Sequence, residues 1–128
     1  MSINRRWAWS WVANYRGATG QWAWVLHRIT GLLIVLFLLL HIADTSLVGW
    51  GPGVYDGFSA IYHNPIVRVF EVILVGIVIY HALNGIRISI IDFWDRGSLY
   101  QERIFWGSVL LFFVLFIPSA YLMLASVF

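Results

Sequence analysis

Three long apolar runs, separated by short polar breaks, dominate the pattern of hydrophobic and polar positions along the chain. They cover residues 24–48, 66–91 and 104–127. A helix needs about 20 predominantly apolar residues to cross the hydrocarbon part of a bilayer, so each run predicts one membrane-spanning helix. Glycine and proline in series, Gly49-Trp50-Gly51-Pro52-Gly53, end the first helix, and Pro118 predicts a kink in the third.

The composition agrees with a membrane protein. Of the 128 residues, 61% are hydrophobic and 11% are charged, which is more apolar surface than a soluble domain of this size buries. We therefore expect an all-α fold in which residues 1–128 form one transmembrane domain with three spanning helices. The absence of cysteine excludes disulfides, iron–sulfur clusters and thiolate zinc sites within this chain.

The basic residues are all arginines, and their placement predicts an orientation rather than a nucleic-acid surface. By the positive-inside rule, the N-terminus faces the cytoplasm and the C-terminus faces outside. Seven of the eight arginines lie on the stretches that this orientation puts inside: Arg5, Arg6, Arg16, Arg28, Arg87, Arg96 and Arg103. The N-terminal residues 1–21, rich in arginine and tryptophan, suit the lipid headgroup region.

A histidine inside the second run is the first candidate for chemistry, because a strongly hydrogen-bonding group at that depth needs a partner. His81 has Gly85 four residues later, so the two share one face of the helix. Such a glycine leaves a hollow in which a haem ring fits, with His81 as the iron ligand. The alternative is that His81 hydrogen-bonds a neighbouring helix while Gly85 permits close packing.

A second histidine, His41, lies in the first run. If Arg28 and Arg87 mark the same inner boundary, His41 lies thirteen residues from it and His81 lies six residues from it. At the rise of an α-helix these depths are about 20 Å and about 9 Å. Histidines at such different depths could each bind a separate haem. If Arg87 instead snorkels to the membrane surface, the two depths could be equal, and a single haem within the chain would be possible. The alternative for His41 is a hydrogen bond to a carbonyl or to a polar residue of a partner.

The inner end of the first run carries the segment His27-Arg28-Ile29-Thr30-Gly31. Its histidine and arginine could hydrogen-bond a quinone carbonyl or a haem propionate, and its threonine and glycine allow another helix to approach closely. The alternative is that Arg28 only anchors the end of the helix at the membrane surface.

Two of these segments match the motifs of a known family. His27-Arg28-Ile29-Thr30-Gly31 meets the pattern His-Arg-x-[Ser/Thr]-Gly, and His81-Ala82-Leu83-Asn84-Gly85-Ile86-Arg87, followed by Asp92-Phe93, meets His-x-x-x-Gly-Ile-Arg with a later Asp-Phe. Each motif is weak alone, but together on three spans they are specific. Over nearly its whole length the chain resembles the cytochrome b membrane anchor of succinate dehydrogenase and fumarate reductase, respiratory complex II.

The resemblance implies that the three helices form a membrane anchor domain within a larger transmembrane bundle. It also implies that His81 is an axial ligand of haem b, with the opposite histidine supplied by a second membrane anchor subunit. Arg28 resembles the arginine that lines the quinone pocket beside the iron–sulfur subunit. The family serine that approaches the quinone, three residues before the first motif histidine, falls at Trp24. We therefore expect a quinone pocket that is altered or differently placed.

His41 also has a counterpart in part of this family. It resembles the first-span histidine of the two-haem members, which holds the haem nearer the outer face, whereas single-haem members have an apolar residue at that point. Together with the difference in depth, this resemblance predicts two haems per assembled complex.

The expected function is that of an electron-carrying anchor without a complete active site. A flavoprotein subunit would oxidise succinate, and an iron–sulfur subunit would pass the electrons through the haem-binding anchor to a quinone. We expect a bacterial or archaeal plasma membrane as the location, in preference to a mitochondrial inner membrane. One alternative is a cytochrome b anchor of another dehydrogenase, such as a formate dehydrogenase or a hydrogenase. Another is a structural membrane protein without a cofactor.

Overall fold

Four α-helices make up the part of the chain that the computed structural model describes, residues 19–127. They are α1 (Thr19–Ser46), α2 (Pro52–Ser59), α3 (Pro65–Phe93) and α4 (Gln101–Ala125). Three stretches are long and apolar enough to cross a membrane: Gly20–Trp50, Pro65–Phe93 and Gly97–Ala125. The all-α, three-span fold class is therefore confirmed. The arginine- and tryptophan-rich segment that the sequence assigns to the headgroup region lies almost wholly outside the described residues.

The helix ends follow from local sequence. The Asn64 side chain caps α3 by accepting a hydrogen bond from the backbone N–H of Ile66 at 2.9 Å, and Pro65 takes the first helical position, where its missing N–H costs nothing. A 3₁₀ turn, Leu47–Trp50, extends α1 as far as Gly51. Gly51 has a φ of +108°, which glycine adopts far more readily than other residues.

The helix limits differ from the expected spans by a few residues. Helix α1 already includes Thr19, the first described residue, where the sequence predicted a start near residue 24, and α4 begins at Gln101 rather than at residue 104. Helix α4 continues through Pro118 to Ala125. Apolar content alone places such ends poorly, because the first turn of a spanning helix is commonly polar and interfacial.

Helix α3 lies in the middle of the bundle and packs against both α1 and α4. We call the end of the bundle that holds the start of α1 and the end of α3 the inner end, and the opposite end the outer end. At Gly76 a Cβ atom would lie 2.9 Å from the Phe116 ring, so only glycine lets α4 approach this closely.

Most large apolar side chains face outward. Leu32 is 73% exposed and Leu110 is 68% exposed, whereas Ala23 and Val72 are buried apolar residues. A soluble protein of this size would cover far more of such surface, but a spanning bundle leaves it for lipid and for neighbouring subunits.

Polar side chains, by contrast, are buried near the inner end. The Asn84 side chain and the Tyr80 hydroxyl both donate hydrogen bonds to the Ala23 carbonyl at 3.2 Å. Arg87, 5% exposed, donates to Asn84 at 3.0 Å, and its guanidinium lies 5.3 Å from the centre of the Phe105 ring. This network joins α1, α3 and α4 and fixes the register of α1 against α3, and thus the level at which His81 meets α1.

Candidate functional site

Two histidines from different spans stack on one another where α1 crosses α3. The rings of His27 and His81 are parallel to within 6°, with their centres 4.0 Å apart. Each ring lies against a glycine of the opposite helix. A Cβ atom at Gly31 would lie 3.1 Å from the His81 ring, and one at Gly85 would lie 3.6 Å from the His27 ring. The two glycines therefore make room for the two rings, and Gly31 is the more tightly contacted.

The contacts of the His81 ring assign a role to each of its nitrogens. Nδ1 lies 3.2 Å from the His27 carbonyl oxygen and 3.1 Å from the Thr30 hydroxyl. A carbonyl oxygen only accepts hydrogen bonds, so Nδ1 carries the proton and Nε2 keeps its lone pair. Nε2 makes no hydrogen bond to any residue in the range 19–127. Metal-binding histidines characteristically donate one ring N–H to a carbonyl and bind the metal through the lone pair of the other nitrogen.

A large cleft opens at the outer end between α1, α3 and the connection that follows α1. Its volume is about 690 Å³, within the usual size range of ligand sites, and its walls are largely apolar. His41 lies on one wall, stacked against Phe37 at a centre-to-centre distance of 5.3 Å. We call this space the outer cleft.

The outer cleft also contains a small cluster of polar side chains. Nδ1 of His41 lies 3.7 Å from a carboxylate oxygen of Asp44, and the Tyr62 hydroxyl donates a hydrogen bond to the same carboxylate. That hydrogen bond, together with burial, raises the pKa of Tyr62 to about 12. Tyr62 therefore remains a neutral donor at any physiological pH. The other acid of the cleft, Glu71, is paired with Arg68 at 2.7 Å.

The two histidines that are expected to bind haem lie at different levels of the bundle. His81 contacts Thr30 and Gly31 of α1. His41 lies ten residues beyond Gly31 on the same helix, a separation of about 15 Å along the helix axis. One macrocycle could not reach iron ligands at both levels.

Comparison with known proteins gives the family. The model of the succinate dehydrogenase/fumarate reductase transmembrane subunit matches residues 4–117. The chain belongs to this family. It is 45% identical over 107 residues to the succinate dehydrogenase 2 membrane subunit SdhC of Mycobacterium tuberculosis, covering 82% of this chain and 77% of the relative. It is 36% identical over 103 residues to the succinate dehydrogenase hydrophobic membrane anchor subunit of Halobacterium salinarum, covering 80% of this chain and 78% of the relative.

The chain is thus a multi-pass membrane anchor subunit of succinate dehydrogenase, as the two motifs predicted. Within residues 19–127, no three His, Cys, Asp or Glu side chains form a cluster that could hold a bare metal ion. An iron in this anchor subunit would therefore need a macrocycle, or ligands from another chain, to complete its coordination.

The two residues predicted to contact quinone point in different directions. His27 turns toward α3 and the His81 ring, whereas Arg28 is exposed and its guanidinium lies 4.2 Å from the centre of the Trp24 ring. Arg28 and Trp24 thus form a cation–π pair on the outside of the anchor subunit. Trp24, which the resemblance aligns with a family serine, therefore places a large ring beside Arg28.

Two features of the site are not apparent from the sequence. Gly85 is expected to form a hollow for a haem beside His81, but within this chain it contacts the His27 ring; its role toward a haem stays a prediction. Thr30 is expected only to ease helix packing, yet its hydroxyl bonds the His81 ring. The sequence does mark Thr30 as a motif position, in His27-Arg28-Ile29-Thr30-Gly31, but it does not show that the hydroxyl contacts His81.

Proposed function

We propose that this anchor subunit binds haem b through Nε2 of His81 and takes part in succinate-dependent reduction of a membrane quinone. The observation that carries the proposal is the state of the His81 ring: Nδ1 is bonded to α1 at 3.1 and 3.2 Å, which leaves Nε2 with its lone pair. The carbonyl of His27 and the bare backbone at Gly31 hold the ring in place. Family membership supports the same assignment, because both relatives are membrane subunits of succinate dehydrogenase.

A second haem b is proposed in the outer cleft, with His41 as its ligand from this chain. What supports it is a haem-sized space of about 690 Å³ with an imidazole on its wall. The Asp44 carboxylate lies 3.7 Å from Nδ1 of His41, on one side of the ring, so Nε2 is the nitrogen that would bind the iron. Two haems would then lie one above the other along the bundle.

The proposed partners follow from what this chain lacks. One histidine from this chain accounts for one side of each iron, so a second membrane anchor subunit would supply the opposite ligands. The exposed apolar surface of α1 and α3, which includes Leu32 and Ile86 at 73% and 57% exposure, supports helix packing against such a subunit. The iron–sulfur subunit would dock at the inner end, where the arginines are concentrated, and the flavoprotein subunit would bind to it.

In the assembled complex, oxidation of succinate to fumarate releases two electrons and two protons, and the quinone takes up two of each to become a quinol. Bound haem b supplies a one-electron carrier within the membrane. The contribution of this chain is to hold the ligand nitrogens at fixed depth in an apolar surrounding. We propose that the complex lies in a bacterial or archaeal plasma membrane with its inner end toward the cytoplasm.

Purification of the native complex in detergent tests the proposal. We expect the flavoprotein, the iron–sulfur subunit and a second anchor subunit to co-purify, a low-spin bis-histidine b-type spectrum on reduction, and quinone reduction that depends on succinate. Co-purification without a b-type spectrum would favour a purely structural anchor. A b-type spectrum with electrons accepted from formate or hydrogen, but not from succinate, would favour another dehydrogenase.

Arg28 provides a prediction about the quinone. Replacing it with glutamine should raise the KM for quinone about tenfold, since a hydrogen bond to a charged group is worth about 1.5–3 kcal/mol and about 1.4 kcal/mol is tenfold in binding. The haem spectrum should not change, because Arg28 points away from the histidine pair. The measurement is steady-state quinone reduction at saturating succinate.

The matched control is Arg96→Gln, which removes an exposed arginine from the same end of the bundle. An equal rise in KM in both variants would point to the general positive charge of the inner end. A KM that is unchanged in Arg28→Gln would leave Arg28 as a membrane anchor only.

A further inference from the structure

The hydroxyl of Thr30 lies among three possible hydrogen-bond partners. It is 2.8 Å from the Leu26 carbonyl oxygen, 3.0 Å from the His27 carbonyl oxygen and 3.1 Å from Nδ1 of His81. Thr30 is 8% exposed, so water does not compete freely for these contacts. A hydroxyl has one proton and two lone pairs. When it donates to a carbonyl of its own helix, it turns a lone pair toward His81.

We propose that Thr30 is a positioning residue for His81, which acts with the His27 carbonyl to hold the Nδ1 proton and so raises the electron-donating strength of Nε2. The inference rests on the proposed haem ligation by His81. The Thr30 oxygen and the His27 carbonyl oxygen, at 3.1 and 3.2 Å, are two acceptors for one Nδ1 proton. Both stabilise positive charge on the ring, and this makes Nε2 a stronger donor to ferric than to ferrous iron.

Gly31 makes the contact possible. A Cβ atom there would lie 3.1 Å from the His81 ring, so any larger residue would push the ring away from the helix that carries Thr30. The hydroxyl, the carbonyl and the bare backbone at Gly31 thus approach the same ring from consecutive turns of α1. Together they restrain its position and its rotation, as the surroundings of metal-bound histidines generally do.

Thr30→Val tests the inference, because it keeps the branched shape of the side chain and removes the hydroxyl. Loss of such a partner typically weakens metal binding about 10- to 100-fold. We expect haem to leave the purified complex about tenfold faster, measured by transfer to an excess of apomyoglobin. The midpoint potential of the His81 haem should also rise. A tenfold loss of haem affinity that is confined to the ferric form would raise the one-electron midpoint potential by about 59 mV.

Thr30→Ser restores the hydroxyl and should return both values close to those of the unmodified complex. Ser119→Ala is the matched control, because Ser119 makes the same kind of bond to a carbonyl of its own helix, at 2.7 Å, and is only partly buried on α4. It should change neither the potential nor the rate of haem loss. Should Thr30→Val fail to assemble, Thr30→Ala removes the hydroxyl without adding bulk and serves the same comparison.

Unchanged potential and haem retention in Thr30→Val would overturn the inference and leave haem ligation by His81 intact. Equal changes in the valine and serine variants would also overturn it, since the shape of the side chain rather than its hydroxyl would then matter. A complex that contains no haem b before any substitution would overturn the proposed function, and the role of Thr30 with it.

Discussion

Replacing His81 with alanine should remove one haem b from each assembled complex. The substitution deletes the Nε2 ligand together with the two contacts of Nδ1 at 3.1 and 3.2 Å. The remaining ligand, on the second anchor subunit, would hold such a haem on one side only. The measurement is the haem content of the purified complex, determined by a pyridine haemochrome assay and normalised to its flavin.

His81→Asn separates ligation from packing. The asparagine Nδ2 can stand near the position of the imidazole Nδ1 and donate to the His27 carbonyl or to Thr30, but the side chain offers no nitrogen lone pair to iron. If His81 serves only to hydrogen-bond α1, this variant should behave like the unmodified complex. We expect instead that it loses the same haem as His81→Ala while it retains more of the thermal stability. Full haem content in His81→Asn would contradict ligation by His81.

The sequence is sufficient for the three spans because their signals are local. Each apolar run is long enough to cross a bilayer, and Asn64-Pro65 and Gly51 punctuate the chain where α3 begins and where α1, with its 3₁₀ extension, ends. The Arg68–Glu71 ion pair is local in the same sense, because its members lie three residues apart on one helix face. Such features depend on the backbone of one segment, and the sequence specifies that backbone directly.

The contacts between spans are beyond the reach of a single sequence. Nδ1 of His81 meets the carbonyl of a residue 54 positions earlier, and the Tyr62 hydroxyl meets an acid 18 positions earlier. A rotation of α1 about its axis would present Arg28 to α3 in place of His27 without altering any local pattern. The register is set by long-range contacts such as the Asn84 bond to the Ala23 carbonyl.

Gly85 illustrates the same limit. Its spacing from His81 correctly indicates that both lie on the face of α3 that meets a neighbour, but spacing does not identify the neighbour. Within this chain the neighbour is the His27 ring, and the glycine that faces His81 is Gly31 of the other helix. A glycine four residues from a histidine therefore predicts a close approach, whereas the occupant depends on which helix or cofactor arrives there.

Replacing His41 with alanine should lower the haem content from two per complex to one. His41 is largely exposed, with 53% of its side-chain surface accessible, so its loss should cost little stability and leave assembly intact. The haem that remains should have the spectrum and potential of the His81 site. The contacts of His81 with Thr30 and Gly31 lie ten or more residues from His41 along α1.

The matched control is His63→Ala, which removes another exposed histidine from the outer connection. His63 is not among the residues that line the outer cleft, so this variant should keep both haems. If His41→Ala also keeps both haems, His41 is not an iron ligand, and its contact with Asp44 in the outer cleft has only a structural role. If the unmodified complex contains a single haem that His81→Ala removes, the outer cleft binds no haem while the inner assignment stands. His41→Ala and His81→Ala thus test the two haem sites separately. Because His41 and His81 share no contact, each substitution should lower the haem content without disturbing the other site.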